Sequence, residues 1–306
     1  MPGSLIVDAF IKKKRKFSTC FFEFSNINQW HYLFSAIARC CLKLSSVDDK
    51  EEKGKDIVNI LLLGTDEKLA YTHDVGRSDC TMLVSLNCET GTVKLISFER
   101  GIMVDVPPEK AEGRTSDLLT HAYHWCGADF MVDTIEKYFN VEIDGYAQVD
   151  FYEFEEVIDA IGGIDIDIEY MEAIMMNHAE PVQTQAHMLL GKNHLNGHDT
   201  MVYCRLRSPD DDWARQGRQR KTVQAVIEKV STMSASEVVS LMDEILPLLH
   251  MDIPAAVIAR LALHAGKFLN TEAQQLQVPE KNQEDDGSIA CDFAAEAARI
   301  RSFLAQ

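Results

Sequence analysis

The run Ile57-Val-Asn-Ile-Leu-Leu-Leu63, closed by Gly64, is apolar almost without interruption. A strand with one wet face alternates apolar and polar residues. A run that does not alternate fits a strand buried on both faces, in a sheet with helices packed on each side. This stretch sets the frame for the rest of the chain. Thr81 to Leu86 reads as a second strand. After the turn at Asn87 to Gly91, Thr92 to Phe98 reads as a third.

Polar residues collect where these strands end. Thr65 and Asp66 follow the first run, Arg77-Ser78-Asp79 precedes the second, and Glu99-Arg100-Gly101 closes the third. Ligand sites in open α/β sheets lie outside the carboxyl ends of the strands, which makes Asp66 and Arg100 well placed. Arg77 and Asp79 would enter from the adjoining loop.

The densest cationic cluster is TMVYCRLRSPDDDWARQGRQR, Thr200 to Arg220, with five arginines and three consecutive aspartates. Read as a strand end, Met201 to Arg207 would aim Arg205 and Arg207 the same way. Asp212 is a candidate N-cap, and Arg215 and Arg218 follow at helical i, i+3 spacing on one face. Four guanidinium groups from two elements can converge on one polyanion, because the planar fork donates in pairs and stays charged. In isolation the window is equally consistent with a solvated ion-pair face. Arg220 and Lys221 are expected at the surface.

Composition narrows the function. A chain of 306 residues with 46% hydrophobic content can bury one large core. A net charge of -18 argues against nucleic acid as a partner, since no broad basic surface is available. The one dense basic run, Lys12 to Lys16, lies far from the arginine window. Eight scattered cysteines lack metal-ligand spacing and are expected as reduced thiols rather than a disulfide framework. No transmembrane helix or signal peptide is recognisable. The apolar stretch Trp30 to Leu44 is short and broken by His31, Arg39 and Lys43. The charged run Ser45 to Lys55 marks a boundary, with residues 1–55 an N-terminal segment without a clear fold and residues 56–306 the globular part.

Gly-Thr-Asp (64–66), Arg-Ser-Asp (77–79), Ser-Phe-Glu-Arg (97–100) and YCRLR…DDDWARQGRQ (203–219), in this order, resemble the LytR-CpsA-Psr family. Thr120-His121-Ala-Tyr123 and Ala160-Ile-Gly162-Gly163 agree with it. The resemblance covers about residues 56–230, and more loosely the tail to 306. It implies a transferase that moves a polyprenyl-diphosphate-linked glycopolymer onto a peptidoglycan hydroxyl, at the outer face of a bacterial cytoplasmic membrane. Two departures stand out. Gly101 replaces the usual aspartate after Arg100, and the family's N-terminal membrane helix is not recognisable.

Residues and resemblance together lead to an α/β fold, a three-layer α/β/α sandwich with a mixed central β-sheet. The motif core spans 57–230 and a helical C-terminal extension 231–306. Breaking a diphosphate leaves charge on phosphoryl oxygens, and stabilising it is the main catalytic task. Arg77, Arg100, Arg205, Arg207, Arg215, Arg218 and Gln219 are the candidate diphosphate ligands. Arg100, Asp79, Arg205 and Arg207 are the candidate catalytic residues. Mg²⁺, or alternatively Mn²⁺, would be held by Asp66 and Asp79 with substrate oxygens and water. Partners would be the lipid-linked glycan, peptidoglycan and membrane lipid. The alternatives are a polyprenyl-phosphate-binding regulatory module, or a pyrophosphatase acting on the same carrier. His121 is expected to support the site. The helical stripe Phe151, Phe154, Val157, Ile158 and Ile161 is read as core or as lining of a lipid groove. Asp252 is expected to cap the helix that begins at Pro254.

Overall fold

The computed structural model describes residues 56–66, 76–179, 184–207, 212–269, 271–280 and 288–306. The readings of residues 1–55, including the basic run and the charged linker, lie outside them. Strands β1 (Ile57–Thr65), β2 (Ser78–Asn87) and β3 (Val93–Phe98) come first, then a small hairpin of β4 (Met103–Asp105) and β5 (Ser116–Leu118). Helix α1 (Leu119–Phe139), β6 (Gly145–Val149), α2 (Phe151–Ala160) and β7 (Ile164–Ile168) follow. Next are α3 (Tyr170–Asn177), β8 (Gly191–Leu195), α4 (Gly197–Arg205) and α5 (Asp212–Ser231). The chain closes with α6 (Ala235–Ile245), β9 (His250–Asp252), α7 (Ala255–Phe268), β10 (Gln274–Val278) and α8 (Phe293–Leu304).

Six strands form the central sheet in the order β10-β3-β2-β1-β6-β9. β1 pairs antiparallel with β2 and parallel with β6, and β10 runs parallel to the neighbouring β3, so the sheet is mixed as expected. Both faces are covered. Leu61, Leu63, Leu83, Ile96 and Phe98 pack with Leu119, Met131, Ile135 and Phe139 of α1 and Ile300 of α8. On the opposite face Val58 and Ile60 meet Val257 of α7, and Met82, Val93 and Leu95 meet Val223 and Ile227 of α5. The alternate residues of β1 thus enter two different apolar layers, which explains its nearly continuous apolar run. A further cluster joins α2 to α6 with the β7–β8 hairpin, through Ile158, Ile164, Ile166, Met176 and Tyr203.

Three local expectations need correction. Met201 to Arg205 is not a strand end but the last turns of α4, which starts at Gly197 with Asn196 accepting from the Asp199 N–H. Helical neighbours from Asn196 to Tyr203 satisfy this backbone, so no sheet edge is needed. Asp212 does not precede its helix as an N-cap but is the first residue of α5. Asp252 ends β9 instead of capping α7, whose N-cap position is Pro254. Helix α1 is kinked at Gly127, where φ is 79°.

Candidate functional site

The sheet topology decides where the polar residues gather. β1, β3, β6 and β10 point the same way and β2 runs against them. The carboxyl ends of β1 and β3 therefore lie beside the amino end of β2, which brings Asp66, Arg100 and Asp79 to one edge. The ladder is irregular there. Gly64 pairs with Cys80 and Thr65 with Ser78, so Asp79 is an extra residue in a β-bulge. A bulge re-aims the side chain it carries. Gly64 eases this approach: a Cβ there would stand 3.0 Å from the Cys80 Cβ, so Cys80 would have to give way by a few tenths of an ångström.

Asp79, Arg100, Asp212 and Arg215 form a chain of ion pairs. Arg100 Nη1 lies 3.2 Å from Asp79 Oδ1 and its Nε 2.6 Å from Asp212 Oδ2. Arg215 Nη1 lies 3.3 Å from Asp212 Oδ1, and its Nη2 donates to the Asp79 carbonyl at 3.4 Å. Burial works against the charge on Arg100, yet the hydrogen bonds and charges of Asp212 and Asp79 raise its pKa overall. Arg215 is only 3% exposed, and burial lowers its pKa despite Asp212. Among the described residues its Nε–H has no hydrogen-bond partner. Such a buried, under-satisfied cation gains from an anionic ligand.

Beneath this chain lies Glu99, 2% exposed and hydrogen-bonded by the Gln216 side-chain amide. Burial, followed by the charge of Asp212, pushes its pKa up to about 7, against the pull of Arg215 and Arg100. The sequence reading passed over Glu99. A carboxylate directly after a strand as apolar as Val93–Phe98, and next to an arginine, was the available signal.

An apolar cavity of about 940 Å³ opens at this edge. Leu62 and Met82 from the sheet, Phe151, Phe154 and Val157 of α2, Met175 of α3 and Val202 of α4 line its wall. The expected stripe of α2 is thereby divided: Phe151, Phe154 and Val157 face the cavity, while Ile158 and Ile161 belong to the core. A capping box between Asp150 and Glu153 sets the start of α2. The polar lining includes Asp79, Arg205, Arg207, Arg215 and Gln219, together with Asp150 and Thr65. Arg205 and Arg207 are exposed while lining the cavity, which puts them at its opening. The Arg205 guanidinium stacks 4.4 Å from the centre of the Phe151 ring. Ile174 of α3 and His178 at its C-cap are also exposed and lining, so the opening has an apolar lip beside the cationic one.

The structure thus brings Asp79, Arg100, Arg205, Arg207, Arg215 and Gln219 together. Asp66 and Arg77 stand next to them, tied to each other by the Asp66 N–H to Arg77 carbonyl bond at 3.0 Å and by the Arg77 N–H to the Asp66 carboxylate. Arg218 goes elsewhere. Its guanidinium donates to the Leu206 carbonyl and faces Glu172 at 3.8 Å, and it is not among the cavity-lining residues. Arg220 is a plain correction: it is buried, not at the surface, and donates to Ser97 Oγ at 2.9 Å and Gln275 Oε1 at 3.0 Å. α5 lies across the sheet, so its polar residues are covered on several sides, which charge alone does not reveal. Lys221 donates to the Asp167 carbonyl.

His121 Nδ1 lies 2.8 Å from Asp117 Oδ1, and the same carboxylate accepts from Trp125 and Arg114. These bonds hold the Asp117 carboxyl well below its usual range in spite of burial. The cluster organises the start of α1, which touches the site through the Thr120 N–H to the Arg100 carbonyl at 3.1 Å. Among the described residues Cys80, Cys88, Cys126, Cys204 and Cys291 are free thiols. Burial pushes the Cys80 thiol up to about 12 and the Cys204 thiol to about 11, so neither is a nucleophile at neutral pH. Among the described residues no group of three or more His, Cys, Asp or Glu could hold a metal, and no helix is long and apolar enough to cross a membrane.

An α/β/α sandwich whose apolar cavity opens between arginines and carboxylates defines a protein suited to an amphiphile with an anionic head. The chain belongs to the LytR_cpsA_psr family, whose model matches residues 36–303. It is 35% identical over 197 residues to a Bacillus cereus protein named polyisoprenyl-teichoic acid–peptidoglycan teichoic acid transferase TagU, covering 61% of this chain and 60% of that one. A protein of the same name from Enterococcus faecalis is 31% identical over 183 residues, covering 59% and 56% respectively. The chain thus spans about 60% of the length of the Bacillus cereus relative. Among solved structures, Bacillus subtilis TagV superposes with a TM-score of 0.67 at 25% identity, over 82% of this chain and 96% of that one. TagT bound to LI-WTA superposes with a TM-score of 0.65 at 22% identity, over 85% and 92%, a likeness of fold.

Proposed function

We propose that this chain is a transferase that moves a polyprenyl-diphosphate-linked glycopolymer onto a peptidoglycan hydroxyl at the outer face of a bacterial membrane. The observation that carries the reading is the cavity of about 940 Å³, apolar along its wall and rimmed by Arg205, Arg207, Arg215 and Asp79. An isoprenoid chain suits the wall, and a diphosphate suits the rim. The names of the Bacillus cereus and Enterococcus faecalis relatives support the same substrate class.

In this reading Arg205 and Arg207 hold the diphosphate at the opening. Arg100 and Arg215, already oriented by Asp212 and Asp79, take up the charge that develops on the leaving phosphate. The acceptor oxygen bonds to the sugar-bearing phosphorus, the bridging P–O bond breaks, and polyprenyl phosphate leaves with the electron pair. The acceptor hydroxyl proton is lost to a base. Asp79 and Asp66 offer hard oxygen donors of the kind Mg²⁺ prefers. Two carboxylates suffice, because this ion takes much of its shell from phosphate oxygens and water. When bound, Mg²⁺ or Mn²⁺ would neutralise charge on the diphosphate.

The test is polyprenyl phosphate release from a lipid-diphosphate-linked sugar with peptidoglycan present. It compares the full chain with Arg100→Ala, Arg205→Ala and Asp79→Ala, with and without Mg²⁺. Metal-dependent turnover, reduced by about 100-fold or more in each variant, is expected. Tight lipid binding without turnover would replace this reading with a binding module. Turnover with water as the sole acceptor would make the chain a pyrophosphatase, and turnover unaffected by a chelator would remove the metal.

A further inference from the structure

The apolar lip of the cavity continues onto the outer surface. Along α3, Tyr170, Met171 and Ile174 fall on one helical stripe, at i, i+1 and i+4, and His178 follows at the helix's C-cap. Ile174 and His178 line the cavity, whereas Tyr170 and Met171 are 65% and 60% exposed. The opposite side of α3, Ala173 and Met176, is buried. Beside this stripe stand Leu189 and Leu190, 63% and 68% exposed.

Two features show that these leucines are held out and not merely left loose. Ile168 at the end of β7 pairs with Gly191 at the start of β8, which sets Leu190 next to the entry of α3. The segment is then pinned on both sides. Asn177 of α3 bonds the Met188 carbonyl and N–H at 2.9 and 2.8 Å, and Asn193 bonds the Leu189 carbonyl and N–H at 2.7 and 3.0 Å. The backbone groups of Met188 and Leu189 are satisfied while two leucines, a methionine and a tyrosine face solvent in one patch. Contiguous exposed apolar surface of this kind marks an interaction site.

We propose that Tyr170, Met171, Leu189 and Leu190 form the surface on which this protein sits on a lipid bilayer, with the lip of the cavity turned into the acyl boundary. The proposal rests on the lipid-carrier reading above. Continuity with the cavity argues for a bilayer over a protein partner: a chain leaving the membrane along Ile174 reaches Phe151 and Phe154 without crossing water. The chemistry is insertion rather than charge attraction. The chain carries a net charge of -18, and the neighbouring Lys192 is paired with Asp165 at 3.0 Å. Apolar and aromatic side chains on a short amphipathic element seat at the headgroup boundary in this manner.

The experiment measures partition of the full chain onto phosphatidylcholine vesicles, alone or with added phosphatidylglycerol, across a salt series. The double variant Leu189→Ser/Leu190→Ser is expected to bind about tenfold or more weakly than wild type, with little dependence on salt or on phosphatidylglycerol. In a second variant, Leu190→Trp, fluorescence is expected to be quenched by brominated phosphatidylcholine beyond the wild-type level. Both variants should retain turnover of a detergent-dispersed donor, while the double variant loses turnover of a vesicle-embedded one. Unchanged partition of the double variant, or a tryptophan at position 190 that is not quenched, would overturn the proposal. So would binding that requires phosphatidylglycerol and vanishes with salt, which would belong to the basic run Lys12 to Lys16. If wild type fails on the detergent-dispersed donor, the transferase reading falls, and partition and quenching still decide the docking surface.

Discussion

Glu99 sits under the arginine chain, 2% exposed, with its pKa raised from the ordinary 4.5 to about 7 by burial and by Asp212. A carboxyl that binds its proton more tightly when folded contributes stability that is fully present below the unfolded value. That stability is lost as pH rises through the folded value. The displacement corresponds to about 3 kcal/mol, most of it lost between about pH 4.5 and pH 7. Glu99→Gln keeps the size and the neutral form, and its amide oxygen can still accept from Gln216. The variant should therefore match wild type at the acid end of this window and exceed it by about 3 kcal/mol at about pH 8. Urea unfolding of both proteins in steps from about pH 5 to pH 8 measures this, read from midpoints at constant slope. A stability difference that does not change with pH would refute the reasoning, because it would mean that Glu99 does not titrate between the folded and unfolded states in that range. A wild type that gains on the variant as pH rises would reverse the sign and point to Glu99 ionised and paired with Arg100 or Arg215.

Two further outcomes follow from close contacts. Gly197→Ala would set a Cβ 2.1 Å from the Glu155 carbonyl oxygen where α4 meets α2, and should cost about 2 kcal/mol or more in urea unfolding. Val157→Trp would fill the cavity from the α2 wall. Calorimetric titration should then show lost affinity for long-chain polyprenyl phosphates, with short-chain analogues still bound.

Much of the scaffold was legible in the chain because local rules and tertiary packing agree there. The nearly continuous apolar run of Ile57 to Leu63 announced a strand covered on both faces, and the mixed sheet with helices on each side bears this out. The positions of Asp66 and Arg100 followed from strand ends. The amphipathic stripe of α2 was visible, yet its division between cavity and core was not, since lining and packing demand the same side chains. The arginine window shows the opposite case. Its cationic density was plain, but the strand geometry assigned to Arg205 and Arg207 was wrong, and Arg220 was placed outside when it lies inside.

What the sequence by itself determined is the apolar framework of the central strands and the chemical types collected at their ends, because apolar patterning and strand termination are local properties of the chain. What only the tertiary structure decided is which of those groups meet. The antiparallel entry of β2 and its bulge turn Asp79 toward Arg100, and the path of α5 over the sheet gives Arg215 to the cavity and Arg218 to Leu206 and Glu172. Two arginines three residues apart on one helix carry the same local signal. Their different fates come from the surfaces packed against each, and those surfaces are contributed by segments far away in the chain.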